Sequence, residues 1–438
     1  MQLKVVKFGG SSLSDAEHFK QVARIIKEDP SRRYVVASAP GKRFDNDEKV
    51  TDMLYNCYNM IRNHQDITDY YQKIVERYTD IIAGLGVDFD ISGELEYIKN
   101  AMIHRSGRDY AASRGEYLNS LILAKYLGFD FIDAENVIFF KENSTFDEEK
   151  TNRAMREELA KHENAVIPGF YGSMPNGTIK TFSRGGSDIT GSIVARAAGA
   201  DLYENWTDVS GFLMADPRVV KNAHPISIIT YRELRELSYM GATVLHEDSI
   251  FPVQKEGIAI NIRNTNKPED DGTLIVPTAE GTNSKHVITG VAGKKGFSVI
   301  NIEKNQMGSE FGFAARVFRC LDQYQIHTEH LASGIDSMSH IVSTADLNYK
   351  IDEFIPDLHR VTDADNITVE TGLALVAVVG RGMRETKGTA SRIFTAISNA
   401  GVNVRMIDQG ASELNIVITV YESDYEKTIE AIYNEFVK

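Results

Sequence analysis

The chain has 438 residues, room for about three domains of ~150 residues, and its 42% hydrophobic and 25% charged content is ordinary for a globular protein. Its 62 acidic residues outnumber its 48 basic residues, and the formal net charge of −14 argues against nucleic acid or an anionic membrane as a partner. The two cysteines lie far apart, and no apolar run reaches the ~18 residues that cross a bilayer. The N-terminus does not resemble a signal peptide. These features predict a reduced, cytoplasmic protein.

The chain opens with a predicted strand, a glycine turn and a helix. Val5 and Val6 indicate a short buried strand, residues 9–12 read Gly-Gly-Ser-Ser, and a helical pattern begins at Ser14. Glycine lets a backbone approach an anion closely, N–H groups near a helix start carry partial positive charge, and Lys7 adds a full charge. The stretch predicts a phosphate site, although an ordinary strand–helix turn with a solvated lysine explains it equally well on its own.

From residue 34 to residue 262 the sequence alternates between strand and helix patterns. Strands are predicted at 34–39, 129–133, 137–140, 165–167, 202–206 and 258–262, and helices at 53–62, 69–85, 92–104, 111–127, 189–198 and near 231–237. This alternation favours a largely parallel sheet covered by helices on both faces. Ligands of such sheets bind beyond the carboxyl ends of the strands, which is where the glycine-rich turns of this sequence fall.

A stretch rich in Pro, Asp, Gly, Thr and Asn at 267–285 separates this region from a different pattern. There a strand-helix-strand-strand-helix unit occurs twice, about 75 residues apart, with first strands at 297–302 and 374–379. Neither copy holds a nucleophile with a nearby base, so this region is predicted to bind or to regulate rather than to catalyse.

A second polar turn, residues 183–188, places an arginine beside paired glycines at the start of a predicted helix. The Arg184 guanidinium matches a carboxylate or a phosphate through two hydrogen bonds, and Gly185 and Gly186 would add backbone N–H donors. A purely structural alternative stays open, in which Asp188 caps the helix and Arg184 is a surface group.

Residues 114–116, Arg-Gly-Glu, are predicted to open a helix. The carboxylate of Glu116 would suit an ammonium group, and a solvated acid in a first helical turn is the simpler alternative. The standard nucleotide fingerprints are absent, since Gly380-x-Gly382 has Glu385 where a third glycine belongs and no GxxxxGK[ST] occurs. Together, the cations, N–H groups and carboxylates of these turns point to a zwitterionic ligand and a polyphosphate.

The ordered set of motifs resembles that of the aspartate kinases, in the amino-acid kinase family, over nearly the whole chain. The residues that carry the resemblance are 7–12, 114–116, 183–188, 206–209 and 216–219. The C-terminal repeat resembles the paired ACT domains of these enzymes. The resemblance implies an α/β fold in residues 1–280, with an open, largely parallel sheet and helices on both faces as in carbamate kinase. It further implies two α+β, ferredoxin-like ACT regions at 286–370 and 371–438.

The implied activity is the ATP-dependent phosphorylation of the side-chain carboxylate of L-aspartate to 4-phospho-L-aspartate, the first step towards lysine, threonine and methionine. Mg²⁺ would accompany ATP, and no residue is assigned as a metal ligand because phosphate oxygens and water would hold the ion. Feedback inhibition by an end product is implied, with lysine favoured over threonine, and so is a homodimer or homotetramer formed through the ACT domains. Two alternatives stay open: another amino-acid kinase, such as acetylglutamate or glutamate kinase, and a catalytically degenerate amino-acid sensor.

The resemblance also implies roles for individual residues. The implied catalytic residues are Lys7 and Asp188. The implied substrate-binding residues are Thr51, Glu116, Arg184, Gly185, Gly186 and Ser187. The implied nucleotide-binding residues are Lys7, Phe8, Gly9, Gly10, Thr207, Asp208, Leu213, Arg218, Thr243 and Val244. The implied effector-binding residues are Met307, Gly312, Phe313, Glu329 and Ser333.

The chemistry of the implied reaction limits what Asp188 has to do. Because the substrate carboxylate is already ionised at neutral pH, its attack on the γ-phosphate needs no strong general base. Positioning and charge stabilisation supply most of the acceleration. Asp188 is therefore predicted to organise Lys7 or the substrate ammonium rather than to accept a proton.

The sequence departs from the family pattern at several positions. Ser11 stands where threonine is common, and Glu247 replaces a common proline. Thr243 stands where many relatives have a lysine that contacts nucleotide, which removes a possible phosphate cation and would permit weaker ATP binding, although Lys7 and Arg218 remain. Among the residues implied to bind an effector, the acidic Glu329 suits a lysine ammonium. For Met307 and Phe313 an alternative stays open, in which both are ordinary core residues.

Overall fold

The computed structural model describes residues 2–104, 107–183, 185–242, 245, 249–279 and 286–437. The chain forms two compact units, the first from residues 1–212, 227–231 and 244–280 and the second from residues 213–226, 232–243 and 281–438. The division into regions 1–280, 286–370 and 371–438 is a finer one and stays a prediction. No helix within the described ranges is both long and apolar enough to span a membrane.

The described residues form helices and strands along the whole chain. The helices are α1 (Ala16–Glu28), α2 (Val50–Arg62), α3 (Thr68–Leu85), α4 (Ser92–Ile103), α5 (Arg108–Leu127), α6 (Glu148–Leu159), α7 (Gly186–Ala198), α8 (Tyr231–Tyr239), α9 (Phe251–Lys255), α10 (Phe313–Gln323), α11 (Thr344–Leu347), α12 (Ile351–Thr362), α13 (Thr389–Asn399) and α14 (Tyr425–Val437). The strands are β1 (Lys4–Phe8), β2 (Arg32–Ala37), β3 (Asp130–Phe131), β4 (Ala165–Pro168), β5 (Tyr171–Ser173), β6 (Ile179–Thr181), β7 (Leu202–Thr207), β8 (Ile228–Thr230), β9 (Ala259–Asn264), β10 (Thr273–Val276), β11 (Gly290–Glu303), β12 (Thr328–Ser333), β13 (Ser337–Ser343), β14 (Asn366–Val379), β15 (Met406–Asp408) and β16 (Asn415–Tyr421).

The first unit is built on an eight-stranded sheet with the order β3-β4-β2-β1-β7-β9-β10-β8. Neighbouring strands run parallel except for the antiparallel pair β9 and β10, so the predicted largely parallel sheet is confirmed. Strand β1 lies between β2 and β7, and Lys7 is in register with Asn205 on β7. The turn after β1 and the end of β7 therefore meet at the same edge of the sheet, where ligands of parallel sheets bind.

Local sequence explains why α1 starts later than the glycine turn suggests. A short 3₁₀ turn, Gly10–Leu13, follows β1, and α1 begins at Ala16. The Asp15 carboxylate accepts a hydrogen bond from the His18 N–H at 3.0 Å and caps the helix. The start of α1 is thus closed by an acidic side chain, and the 3₁₀ turn, rather than α1, faces the region beyond β1.

Two predictions about secondary structure in this unit are wrong. Residues 137–140 do not form a strand but make isolated bridges, because the Phe139 N–H donates to the Thr151 side chain at 2.9 Å. The Arg114-Gly115-Glu116 motif does not open a helix either, since α5 begins at Arg108 and the motif lies inside it. Gly115 is needed there for packing, because a Cβ at this position would lie 2.8 Å from the Cβ of Ala39.

The second unit contains a six-stranded sheet with the order β12-β13-β11-β14-β16-β15. Its two fourteen-residue strands, β11 and β14, pair antiparallel along their lengths, with the register interrupted around residues 295–299. Part of β11 also pairs with β13, and part of β14 also pairs with β16. Each copy of the predicted repeat therefore contains a segment of both long strands. The internal repeat and the antiparallel ACT-like architecture are confirmed.

Candidate active site

Three polar side chains from three elements meet at the edge of the first sheet. Lys7 on β1 is buried, and its Nζ lies 2.6 Å from Asp188 Oδ1 and 3.4 Å from Asn205 Oδ1. The Asn205 Nδ2 donates to the same Asp188 oxygen at 2.8 Å. The structure therefore joins the two predicted catalytic residues directly and adds Asn205 between them.

The glycine turn after β1 brings the backbone close to this cluster. Phe8 is fully buried and stacks on Trp206 at 5.9 Å, so its ring belongs to the core and is not open to a ligand. The Gly9 N–H donates to the Trp206 carbonyl at 3.0 Å. A Cβ on Gly9 would lie 3.6 Å from its nearest neighbours, the Lys7 ammonium and that carbonyl, so there is room in front of the turn beside a cation.

Thr265 fixes the turn relative to the end of β7. Its hydroxyl lies 2.7 Å from the Ser12 hydroxyl, and its N–H donates to the Thr207 carbonyl at 2.8 Å. The Thr207 hydroxyl in turn donates to the Asp208 carboxylate at 3.3 Å. The predicted nucleotide residues Thr207 and Asp208 are therefore tied to the glycine turn through one buried threonine.

The start of α7 is packed tightly against the loop after β4. Gly185 adopts φ +58° and a Cβ on Gly186 would lie 2.5 Å from the Phe170 ring, so both positions require glycine. A Cβ on Gly169 would likewise clash with the Ser187 side chain. Phe170, which follows Gly169 in that loop, has φ +82°. Because Gly185 occupies the capping position, the alternative in which Asp188 caps α7 is wrong, and the Asp188 carboxylate faces Lys7.

Glu116 lies in the middle of α5 and is buried rather than solvated. Burial raises the pKa of Glu116 to about 8, and a backbone hydrogen bond involving Ala39 partly offsets this rise. Its Oε2 atom has no hydrogen-bond partner among the described residues, and neither has the buried Oδ1 of Asn119, one turn further along. Two acceptors without donors on one helix face suit a ligand that brings its own N–H groups.

The structure does not bring every predicted site residue into the cluster around Lys7. Thr51 is half-buried in the first turn of α2, not at its cap, because α2 begins at Val50. Leu213 belongs to the second unit and bridges to Pro225, while the exposed Arg218 forms an ion pair with Asp216 at 2.6 Å. Arg184, Thr243, Val244 and Glu247 lie outside the described residues.

Comparison with known proteins decides the family. Residues 2–264 match the amino acid kinase family and residues 376–436 match an ACT domain. Aspartokinase 3 of Bacillus subtilis is 36% identical over 456 residues, which cover 99% of this chain and 98% of the relative. The chain belongs to the aspartokinases.

Solved structures agree with this assignment. Clostridium acetobutylicum aspartate kinase is 51% identical, with a TM-score of 0.92 and full coverage of both chains. E. coli aspartokinase III in complex with aspartate and ADP is 24% identical, with a TM-score of 0.74 over 99% of each chain, and shares the fold. An aspartokinase phosphorylates aspartate with a nucleotide as donor, so the predicted fold class, enzyme class and activity are confirmed.

The residues predicted to bind an effector lie in the ACT-like unit. Met307 and Phe313 are buried in its apolar core, which fits the core alternative for these two. Gly312 caps α10 with φ +78°, and Ser333 is exposed at the end of β12. Glu329 on β12 accepts a hydrogen bond from the Tyr239 hydroxyl on α8, so its carboxylate already has one donor.

Sequence reasoning missed three residues of this candidate site. Asn205 carried a signal, because a polar amide is unusual in a central strand, but its partners come from pairing β1 with β7. Phe170 and Thr265 carried none, since neither the positive φ of Phe170 nor the bridging role of Thr265 is visible in residue type.

Proposed function

We propose that Lys7 and Asp188 form the phosphoryl-transfer centre at which the γ-phosphoryl group of Mg²⁺-bound ATP passes to the side-chain carboxylate of L-aspartate. The observation that carries this proposal is the 2.6 Å ion pair between the buried Lys7 and the half-buried Asp188, beside the open glycine turn. An aspartate oxygen bonds to the γ-phosphorus, the bond from that phosphorus to the bridging oxygen breaks, and ADP leaves with the electron pair. No proton has to move, because the attacking carboxylate is ionised.

Lys7 would stabilise the charge of the transferring group. Its ammonium has three donors, of which Asp188 and Asn205 take two, so one donor remains for a phosphoryl oxygen. Gly10 and Ser11 stand at the start of the 3₁₀ turn, where backbone N–H groups have no partner within the turn and suit an anion. Positioned donors of this kind supply most of the catalysis in phosphoryl transfer.

Mg²⁺ would arrive with the nucleotide. It would be coordinated by phosphate oxygens and water and would neutralise charge on the phosphates. The space in front of Gly9, bounded by the Lys7 ammonium, fits a polyphosphate because a cation and a close backbone meet there. Thr207 and Asp208 are proposed to contact the nucleotide at the end of β7, next to this turn.

Glu116 would bind the ammonium group of aspartate. Its buried Oε2 and the neighbouring Oδ1 of Asn119 supply acceptors, since neither atom has a hydrogen-bond partner in the part of the chain that the structure describes. An ammonium brought to this position would favour the ionised carboxylate and thereby recover the cost of its burial. For Thr51, Gly185, Gly186 and Ser187 the proposed contacts with aspartate rest on the resemblance and on their place at the starts of α2 and α7.

Lysine is the proposed feedback inhibitor, bound by the ACT-like unit near Glu329. The support is chemical, since a partly buried carboxylate on β12 suits the lysine side-chain ammonium. Assembly through ACT regions into a homodimer or homotetramer is proposed on the resemblance alone.

Hydroxylamine trapping tests the proposed function. The wild-type chain, incubated with ATP, Mg²⁺, L-aspartate and hydroxylamine, is expected to form a hydroxamate that depends on both ATP and aspartate. Lys7→Ala should abolish it, whereas Lys20→Ala, which removes a surface lysine paired with Glu17, should not. Hydroxamate from glutamate or acetylglutamate instead would indicate another amino-acid kinase, and none from any substrate would indicate a sensor.

A further inference from the structure

We propose that Asn205 is a positioning residue for this phosphoryl transfer, holding the Lys7 ammonium and the Asp188 carboxylate in one fixed arrangement. The inference rests on the proposed function of Lys7 and Asp188. Asn205 would touch neither substrate nor nucleotide and would act through its two charged neighbours.

The fold places Asn205 beside both charged groups. Asn205 is in register with Lys7 on the adjacent parallel strand, so both side chains leave the same face of the sheet. Helix α7 packs on that face and supplies Asp188 from its first turn. Asn205 is 3% exposed, so water does not compete for its hydrogen bonds.

The chemistry of the amide fits its two neighbours in only one orientation. Its Nδ2 donates to Asp188 Oδ1 at 2.8 Å, and its Oδ1 faces the Lys7 Nζ at 3.4 Å. A flipped amide would set an acceptor against the carboxylate and a donor against the ammonium. The amide therefore contacts both charged groups and fixes the position of the ammonium relative to the carboxylate.

This arrangement limits how strongly Asp188 retains Lys7. The Asp188 Oδ1 atom is shared between Lys7 and Asn205, so part of its hydrogen-bonding capacity is spent on a neutral donor. Among the described residues, an apolar side chain at position 205 would leave that oxygen with Lys7 as its one side-chain partner. The ammonium would then be drawn towards Asp188 and away from a phosphoryl oxygen, lowering the rate of transfer more than the affinity for aspartate.

Two substitutions and one control test the inference with the full chain in the hydroxamate assay. Asn205→Leu removes both hydrogen bonds at similar volume. Asn205→Asp keeps the shape and adds a charge. Tyr203→Phe is the control, because the Tyr203 hydroxyl on the same strand donates at 3.2 Å to the main-chain oxygen of Asp188 and not to its carboxylate.

Asn205→Leu is expected to lower kcat about 10- to 100-fold, the range for a hydrogen bond to a charged group, with KM for aspartate within about twofold of wild type. Tyr203→Phe should leave kcat within about threefold. In Asn205→Asp two adjacent carboxylates face one ammonium, which raises the pKa of the pair. Its kcat relative to wild type should therefore rise as pH is lowered from about 8 to about 6, when one proton restores the charge balance.

The outcomes separate this inference from the proposed function. No hydroxamate from wild type overturns the proposed function and the inference with it. With an active wild type, an Asn205→Leu chain that melts cooperatively and keeps kcat within about twofold overturns the inference alone. If Asn205→Leu does not fold, Asn205→Asp decides, and a pH profile parallel to that of wild type overturns the inference.

Discussion

Gly10 and Gly41 pack backbone against backbone at the turn after β1. The Gly41 N–H donates to the Gly10 carbonyl at 2.8 Å, and a Cβ on Gly41 would lie 2.6 Å from the Gly10 carbonyl carbon. A Cβ on Gly10 would lie 2.8 Å from the Ala39 carbonyl oxygen. The turn after β1 is thus held from behind by main-chain atoms, which have no rotamers through which to relieve a clash.

Replacement of Gly10 by alanine is expected to lower the free energy of unfolding by about 1–3 kcal/mol, because backbone has to shift to admit the methyl group. Gly9→Ala is the matched control, since its Cβ would make only ordinary contacts at 3.6 Å. Urea unfolding of both variants measures the difference. Equal stabilities of the two variants would show that the Gly10–Gly41 contact is not tight in solution.

A buried ion pair connects β2 and β7 across β1. Arg32 Nε lies 2.8 Å from Glu204 Oε2, its Nη2 lies 3.3 Å from Oε1, and Trp206 donates to the same carboxylate at 2.9 Å. Glu204→Gln leaves the Arg32 charge buried without its counter-ion and is expected to cost about 3–5 kcal/mol of unfolding free energy. The double variant Arg32→Met/Glu204→Leu should be more stable than the single one in urea unfolding. A single variant as stable as wild type would contradict this account.

Glu116 makes the stability of the ligand-free protein depend on pH. Burial raises its pKa from the usual 4.5 to about 8, so between these values the folded chain keeps a proton that the unfolded chain releases. The free energy of unfolding should fall as pH rises through this window, by up to about 1.4 kcal/mol per pH unit from this group. Glu116→Gln removes the titration, so its unfolding free energy should fall less steeply between pH 5 and 8. Parallel slopes for both proteins would contradict the burial of a protonated carboxyl.

The same carboxyl should release a proton when aspartate binds. An ammonium placed against Glu116 favours the ionised form, so its pKa falls and up to about one proton leaves near pH 7. Calorimetric titration with aspartate in two buffers of different ionisation enthalpy counts that proton. Glu116→Gln should release none, and its affinity for aspartate should fall. Proton release that persists in Glu116→Gln would assign it to another group.

The sequence predicted the sheet and the main motifs because these depend on local patterns. Apolar runs such as Val5-Val6 and the glycine turn after them are readable from a few residues. The position of Glu116 was missed because the N-cap of α5 is Gly107, which has no side chain to cap the helix, so no capping residue marks the start at Arg108. Its raised pKa depends on burial by distant segments, which no local pattern contains.

Asn205 shows the same limit for the candidate catalytic cluster. Its partner Lys7 is 198 residues away, and their contact follows from the register between β1 and β7. Asp188 was expected near Lys7 only through the resemblance, whereas its hydrogen bond with Asn205 needed the packing of α7 on the sheet. Contacts between residues far apart in the sequence therefore determine the part of the candidate site that sequence motifs do not predict.

In the ACT-like unit, the Tyr239 hydroxyl donates a hydrogen bond to the Glu329 carboxylate, which is the proposed partner of the lysine ammonium. Tyr239→Phe removes this competing donor, so lysine should inhibit at several-fold lower concentration, as measured by hydroxamate formation over a lysine series. Tyr349→Phe is the control, because Tyr349 is fully exposed in the same unit. Glu329→Gln should weaken inhibition by lysine while leaving the uninhibited rate unchanged. Full lysine inhibition of Glu329→Gln, or inhibition of wild type by threonine and not by lysine, would show that the effector or its partner is wrongly assigned.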